Sequence, residues 1–125
     1  MPDRMKRLAA ALLLIFLAGC RHADEEASRL TGGGNPEEGA YLIRKYGCAA
    51  CHTIPGIEGA KGMVGPPLNG IASRTYLGGE LPNSPANMIR WIEDPQSIER
   101  GTAMPNLGVS STEARHIAAY LYTLK

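Results

Sequence analysis

Two cysteines and a histidine form the segment CAACH, at Cys48, Cys51 and His52. Thiols separated by two residues can pair as a disulfide or bind a metal ion together. With a histidine directly after the second cysteine, the same pattern is also typical of covalent haem attachment. The surrounding sequence must therefore decide between a redox dithiol, a metal site and a haem site.

The sequence around CAACH argues against the first two alternatives. A thioredoxin-like dithiol belongs to a βαβ unit, and no strand pattern flanks the segment. Structural zinc needs four ligands, and the adjacent residues Cys51 and His52 cannot readily both reach one tetrahedral ion. His116 could be a fourth ligand, but it lies on an ordinary amphipathic helix and is expected at the surface. Covalent haem fits, because the two thiols can form thioethers with the porphyrin and His52 can bind the iron.

The first twenty residues have the features of an export signal. A basic start precedes an apolar run from Leu8 to Ala18, which is too short to span a bilayer. The segment LAGC, ending at Cys20, resembles a bacterial lipobox, which implies cleavage before Cys20 and lipid attachment to its thiol. Ordinary signal cleavage that leaves Cys20 unmodified is the alternative. We therefore predict a lipoprotein signal peptide at residues 1–19 and a membrane anchor at Cys20.

The residues after Cys20 predict a tether followed by one folded domain. Residues 20–34 are polar and charged and close with three glycines, which predicts a flexible linker with a solvated His22. The domain is expected to span residues 35–125. From Pro36 to the end, basic and acidic residues balance, so we expect no nucleic acid partner.

Helix signals divide the domain, and no strand is predicted. Each predicted helix begins with a side-chain cap followed by residues suited to the first turn. The predicted helices begin after Asn35, Ser84 and Ser110, and they end near Gly47, Pro95 and the C terminus. Residues 53–83 are rich in glycine and proline, and so long a loop requires something such as a large apolar cofactor to organise it. The predicted fold class is therefore all-α.

The methionines are the candidates for a second iron ligand. Two of the five fall in the predicted signal peptide. Met63 follows His52 too closely to reach around a ring, and Met88 has the spacing of a helix core residue. Met104 lies outside any helical pattern, and Pro105 stiffens the loop behind it. We predict that His52 and Met104 are the two metal ligands.

From Asn35 to Lys125 the chain resembles the small class I c-type cytochromes of bacteria. The motifs stand in the same order along the chain: CAACH, GPPLNG, Arg74, RWIEDP, GTAMPNLG and an amphipathic C-terminal helix. The resemblance implies a class I cytochrome c fold, with three or more helices and long loops around one haem c, covalent through Cys48 and Cys51. It also implies axial ligation by His52 and Met104.

The resemblance further implies a supporting shell of cofactor-binding residues around the haem. The carbonyl of Pro66 would accept the second ring proton of His52, and Leu68 would pack against the ring. Arg74 and Tyr76 would meet a haem propionate, and Trp91 would lie beside the haem. Loop stiffening by Pro66, a solvated Arg74 and plain core packing of Trp91 are the alternatives.

These expectations describe an electron carrier and not an enzyme. The expected protein is lipid-anchored, faces the periplasm of the bacterial cell envelope and moves one electron at a time in a membrane-associated respiratory chain. Its partners would be a respiratory donor and a terminal oxidase or dehydrogenase, and it would be a monomer or a dedicated subunit of such a complex. A haem enzyme or gas sensor is a further alternative, which requires Met104 to leave the iron.

Overall fold

The chain is mostly helical, and long irregular segments separate the helices. The computed structural model describes residues 2–125, and of the side chains it describes those of residues 3–14 and 19–125. The helices are α1 (Pro2–Leu30), α2 (Pro36–Lys45), α3 (Pro85–Glu93), α4 (Pro95–Ile98) and α5 (Ser111–Tyr122). Short 3-10 turns lie at Cys48–Ala50 and Ile71–Ser73, and β1 (Tyr76–Leu77) pairs antiparallel with β2 (Leu81–Pro82). The predicted all-α class is confirmed, and this small hairpin is an addition to it.

The helix caps predicted from the sequence are present. At the start of α2, the side chain of Asn35 accepts hydrogen bonds from two helix amides, at 2.9 and 3.2 Å. Ser84 accepts one from the third residue of α3 at 3.2 Å. Ser110 and Glu113 form a reciprocal capping box at the start of α5. Because these caps satisfy amides that a first turn leaves without helical partners, the three helices begin where predicted.

Pro95 ends α3, as predicted, but it also begins a helix that the sequence did not indicate. The side chain of Asp94 accepts a hydrogen bond from the amide of Ser97 at 3.2 Å, and Pro95 occupies the first position of α4. A proline is well suited to that position, since its missing N–H has no partner there in any case. The short helix α4 turns the chain toward the segment that carries Met104.

The core is centred on the crossing of α2 and α5. Gly39 makes the crossing possible, because a Cβ at this position would overlap the carbonyl oxygen of His116. Apolar residues of both helices are buried around this point: Leu42, Ile43, Ile117, Ala118 and Leu121. His116, which is expected at the surface, is partly exposed beside this crossing. Its side chain is half-buried, and Nδ1 accepts a hydrogen bond from the amide of Asn35 at 2.9 Å, since the crossing brings the start of α2 against it.

Asn83 fastens the irregular segment to α5. Its Nδ2 donates hydrogen bonds to the carbonyls of Ile71 and Arg74, both at 2.8 Å. Its Oδ1 accepts one from the hydroxyl of Tyr122 at 2.8 Å. Burial raises the pKa of Tyr122 to about 12, which keeps this hydroxyl protonated as the donor. The segment before α3 is thus held by specific bonds despite its lack of long helices or strands.

The segment predicted to be a flexible tether is helical as far as Leu30 in the structure and packs on the domain. Helix α1 continues to Leu30, and its end packs against α5. Ala27 is only 1% exposed, Glu26 forms an ion pair with Lys125 at 2.8 Å, and Gly34 lies against the backbone of Arg115. The small residues near the end of α1 permit this close packing, which composition alone does not reveal.

In the described part of the chain, no helix is long and apolar enough to cross a bilayer. The division into residues 1–19, 20–34 and 35–125 stays a prediction.

Candidate functional site

A cavity of about 730 Å³ lies between the CAACH segment, α3 and the loop that follows α4. Its wall is largely apolar, and its aliphatic lining includes Ile71, Leu77, Met88, Ile92 and Leu121. The residues that the sequence assigned to cofactor binding all line it: Cys48, Cys51, His52, Pro66, Leu68, Arg74, Tyr76, Trp91 and Met104. The structure therefore brings the predicted site residues together, and their contacts with a cofactor stay predictions.

The two cysteines are placed by a sharp turn after α2. Gly47 has a φ of 71°, a left-handed conformation that glycine adopts without strain, and it turns the chain into the 3-10 segment Cys48–Ala50. The amide of His52 donates to the carbonyl of Cys48 at 3.0 Å, which closes this turn. Cys48 and Cys51 do not form a disulfide, and burial raises the pKa of the Cys48 thiol. Both cysteines thus line the same cavity.

His52 is oriented by a hydrogen bond to a backbone carbonyl. Its Nδ1 lies 2.7 Å from the oxygen of Pro66, and since a carbonyl can only accept, Nδ1 carries the proton. In the neutral ring, Nε2 then holds the lone pair that binds a metal. This bond is the one that the family resemblance implied, and it fixes both the tautomer and the ring orientation.

Gly65 is a site residue that the sequence interpretation missed. A Cβ at this position would lie 2.7 Å from Nδ1 of His52 and would also overlap Cε1 of the ring. The amide of Gly65 donates to the carbonyl of Cys51 at 2.7 Å, and the amide of Leu68 donates to that of Thr53 at 2.8 Å. The GPPL segment therefore packs directly beneath CAACH, and the motif GPPLNG was the signal that could have indicated it.

Arg74 lines the cavity but makes its described hydrogen bonds to the chain itself. Its Nη2 donates to the carbonyl of Pro67 and, at 3.0 Å, to that of Asn69. These bonds hold the loop that carries Pro66, so Arg74 supports the orientation of His52 indirectly. Tyr76 lies in β1 at the cavity, with 54% of its surface exposed. The predicted contact of both residues with a propionate remains a prediction.

Trp91 projects from α3 to the cavity and packs on the hairpin turn. A Cβ on Gly78 would lie between 2.7 and 3.1 Å from three atoms of the indole ring. Gly78 also has a φ of 56°, so this position favours glycine for both space and conformation. The same indole ring therefore packs against protein and lines the cavity, as both alternatives for Trp91 require.

The three candidate methionines in the domain differ in how much of their surface is exposed. Met63 is 91% exposed, and it is not among the cavity-lining residues. Met88 is buried in the wall from α3, with 2% exposed surface. Met104 is half-buried and lines the cavity from the loop after α4. Its position is compatible with the predicted role as a ligand.

Gln96 is a second residue that the sequence interpretation missed. From α4, its Nε2 donates to the carbonyls of Thr102 and Met104, at 2.7 and 3.0 Å. Its Oε1 accepts from the amide of Gly101 at 3.3 Å. The side chain thus spans the loop that presents Met104, and no local sequence signal indicates such a contact.

The donor set fits a haem better than a bare metal ion. The cavity volume lies within the range of small-molecule and cofactor sites, about 300–1,000 Å³, and its wall is apolar. In the described part of the chain, no group of three or more His, Cys, Asp or Glu side chains could hold a metal ion. The two thiols and the imidazole of CAACH line this apolar cavity, and they are the groups that a covalently attached haem would use.

Comparisons with known proteins place the chain beside the c-type cytochromes. The family model described as cytochrome c matches residues 36–125. The chain is 30% identical to cytochrome c-552 of Nitrosomonas europaea over 107 residues, covering 79% of this chain and 90% of that protein. It is 34% identical to cytochrome c2 of Rhodopila globiformis over 105 residues, covering 74% of this chain and 95% of that protein.

A third relative is a larger protein. Cytochrome c oxidase subunit 2 of Alkalihalophilus pseudofirmus is 32% identical over 89 residues, which is 70% of this chain. The match spans only 25% of that subunit, so the chain corresponds to about a quarter of its length. No solved structure gave a significant match.

Proposed function

The chain belongs to the cytochrome c family, and from this premise we propose that it passes single electrons between the protein partners of a membrane-associated respiratory chain. As a cytochrome c it is an electron carrier with a class I fold, and its c-type haem is bound covalently through Cys48 and Cys51. When bound, the haem supplies a centre that gains and loses one electron. We assign the axial positions to His52 and Met104.

The observation that carries this proposal is the hydrogen bond between His52 and Pro66. It orients the imidazole and leaves Nε2 as the nitrogen that would bind the metal. Met104 lines the same cavity from a separate segment of the chain. If His52 and Met104 both held the iron, a substrate could not easily reach the metal, and electron transfer would be the remaining chemistry. A methionine thioether also raises the reduction potential of such a site.

The test is the response of the reduced haem protein to carbon monoxide. We expect no change in the visible spectrum of the wild-type protein, because Met104 occupies the position that carbon monoxide needs. The Met104→Ala variant should bind carbon monoxide readily, which serves as the positive control. A wild-type protein that binds it as readily as the variant would contradict the carrier role and favour the haem enzyme or gas sensor.

We further propose that a lipid on Cys20 anchors the protein to a membrane, facing the periplasm. The LAGC segment supports this, and a tethered carrier would search a confined volume for its membrane partners. The Cys20→Ala variant should leave the membrane fraction and keep the haem spectrum of the wild type. Retention of the variant in the membrane would show that another part of the chain is the anchor.

A dedicated subunit of a terminal oxidase or dehydrogenase is the second candidate. It is favoured by the match to cytochrome c oxidase subunit 2, in which a domain similar to this chain forms part of a larger protein. The chemistry of the haem would be the same, and only the location would differ. Stoichiometric co-purification with such a complex in mild detergent would support this role, whereas strictly monomeric behaviour would count against it.

A further inference from the structure

Gln96 joins the loop that carries Met104 to the helical part of the molecule. Its side chain is half-buried, and it makes two donor bonds to the carbonyls of Thr102 and Met104 and one acceptor bond to the amide of Gly101. The orientation of the amide group is fixed by chemistry, because the reversed orientation would place Oε1 against two carbonyl oxygens. All the polar atoms of this side chain therefore face the same four-residue loop.

The helix that carries Gln96 is itself firmly placed. The side chain of Pro95 is among the largest that are fully buried. The side chain of Asp94 caps the helix by accepting a hydrogen bond from the amide of Ser97 at 3.2 Å. The amide of Glu99 closes the turn by donating to the carbonyl of Pro95 at 2.9 Å. A side chain attached to this short helix is thus held on the molecule independently of the loop.

The loop has little else to hold it in place. Apart from those of Gln96, the hydrogen bonds described for residues 101–108 are local, such as Thr102 to Glu99 at 3.2 Å and Gly108 to Asn106 at 3.0 Å. The amide of Met104 also donates a long hydrogen bond of 3.4 Å to the hydroxyl oxygen of Thr102. Local bonds shape a loop but do not fix its distance from the rest of the protein.

We propose that Gln96 is a positioning residue that keeps the thioether of Met104 at the metal. This inference rests on the proposed function, in which Met104 is an axial ligand. Without Gln96 the loop would retain its local shape, but it would move away from the cavity more easily. The ligand would then spend a larger share of its time dissociated, and an external ligand could compete for the open position.

The test compares Gln96→Leu with the wild-type haem protein. In the reduced state, the variant should bind carbon monoxide with an apparent affinity roughly tenfold higher, since losing its hydrogen bonds favours the open loop and the apparent affinity follows the open fraction. In the oxidised state, the weak long-wavelength absorption band of a thioether-bound haem should weaken. Gln96→Glu is near-isosteric but replaces both donor bonds with an acceptor, so it should show the same changes where the leucine variant does not fold.

The matched control is Ser97→Ala in the same helix. The hydroxyl of Ser97 donates to the carbonyl of Asp94 at 2.9 Å and does not contact the loop. This variant should lose some stability against denaturant and keep the carbon monoxide affinity of the wild type. A purely structural role of Gln96 would lower the stability in the same way without changing that affinity.

Two results would overturn the inference, and they differ from each other. A wild-type protein that resists carbon monoxide, together with Gln96 variants that resist it equally, would show that Gln96 does not position Met104. A wild-type protein that is as open as Met104→Ala would instead overturn the proposed ligation, and with it the role of Gln96.

Discussion

The imidazole of His52 occupies the space in which any other residue at Gly65 would place its side chain. The Cβ position of Gly65 lies 2.7 Å from Nδ1, closer than atoms of neighbouring side chains approach. The same ring nitrogen donates to Pro66, the next residue in the chain. Gly65 and Pro66 therefore act together on His52, one by leaving room for the ring and the other by accepting a hydrogen bond from its Nδ1.

We expect Gly65→Ala to displace the imidazole from its hydrogen bond with Pro66. Overpacking of this kind costs about 1–3 kcal/mol in the free energy of unfolding, and the new ring orientation should alter the haem spectrum. Absorption spectroscopy and denaturant unfolding of the haem protein measure the two effects.

Gly59→Ala is the control for Gly65→Ala. A Cβ at Gly59 meets nothing within 4 Å, but the φ of 74° makes alanine strained there, at about 1–2 kcal/mol. It should therefore lower the stability and leave the haem spectrum unchanged. An unaltered spectrum in Gly65→Ala as well would show that the ring tolerates a methyl group at this position.

At the scale of the elements, the carboxylate of Glu113 in α5 forms hydrogen bonds with the end of α2. Glu113 accepts hydrogen bonds from Nζ of Lys45 at 2.9 Å, from the hydroxyl of Tyr46 at 2.7 Å and from that of Ser110 at 2.8 Å. With the bond from Lys45 as the largest cause, these partners lower the pKa of Glu113 from 4.5 to about 2. The residue thus caps its own helix and connects it to the end of the helix that leads into CAACH.

This contact should make the stability of the protein depend on pH. A carboxyl whose pKa is lower in the folded state stabilises the fold above its unfolded value of about 4.5 and loses that contribution as the pH falls toward 2. The difference in the free energy of unfolding between wild type and Glu113→Gln should therefore be largest near neutral pH and shrink on acidification. Denaturant unfolding of both proteins across this pH range measures the difference.

Glu58→Gln provides the comparison for this titration, because Glu58 is exposed in the irregular segment. The free energy of unfolding of Glu58→Gln should differ little from that of the wild type. A constant difference for Glu113→Gln across the acid range would mean that its carboxylate does not stabilise the contact between α2 and α5.

At the scale of the whole molecule, the end of α1 is part of the folded domain. The amides of Thr31 and Gly33 donate to carbonyls of α1, at 3.1 and 2.8 Å, and Ala27 is buried against the core. If Cys20 carries the proposed lipid, a helical segment and not a free linker connects the anchor to the domain. Such a connection would limit the orientations of the cavity relative to the membrane.

Hydrogen exchange can test the docking of α1. In the wild type we expect slow exchange at the amides of Thr31 and Gly33, because packing protects hydrogen bonds from local opening. Ala27→Glu would bury a charge without a described partner, and it should speed exchange in this segment roughly tenfold or more. The rates in α2 and α5 should change much less.

Leu30→Glu is the matched control, since Leu30 is already 45% exposed and should accept a charge without undocking the helix. Fast exchange of this segment in the wild-type protein would contradict the docking and restore the flexible tether that composition predicts.

The sequence by itself determined the features that depend on residues close together in the chain. CAACH indicated the haem attachment, because the two thiols and the histidine act within five residues. The caps at Asn35, Ser84 and Ser110 located three helices, because a cap and its amides lie within one turn. The family resemblance supplied the pairing of His52 with Pro66, which spacing alone does not indicate.

The tertiary structure decided contacts between residues that lie more than one helical turn apart. Gly65 lies against His52, Arg74 donates to the loop after Pro66, and Gln96 spans the loop of Met104. Each contact joins residues of unremarkable local sequence, so its existence depends on the path that the helices impose on the loops. For the same reason composition predicted a free tether where α1 is docked. Local patterns record caps and attachment chemistry, whereas burial and long-range hydrogen bonds arise only when the chain has folded.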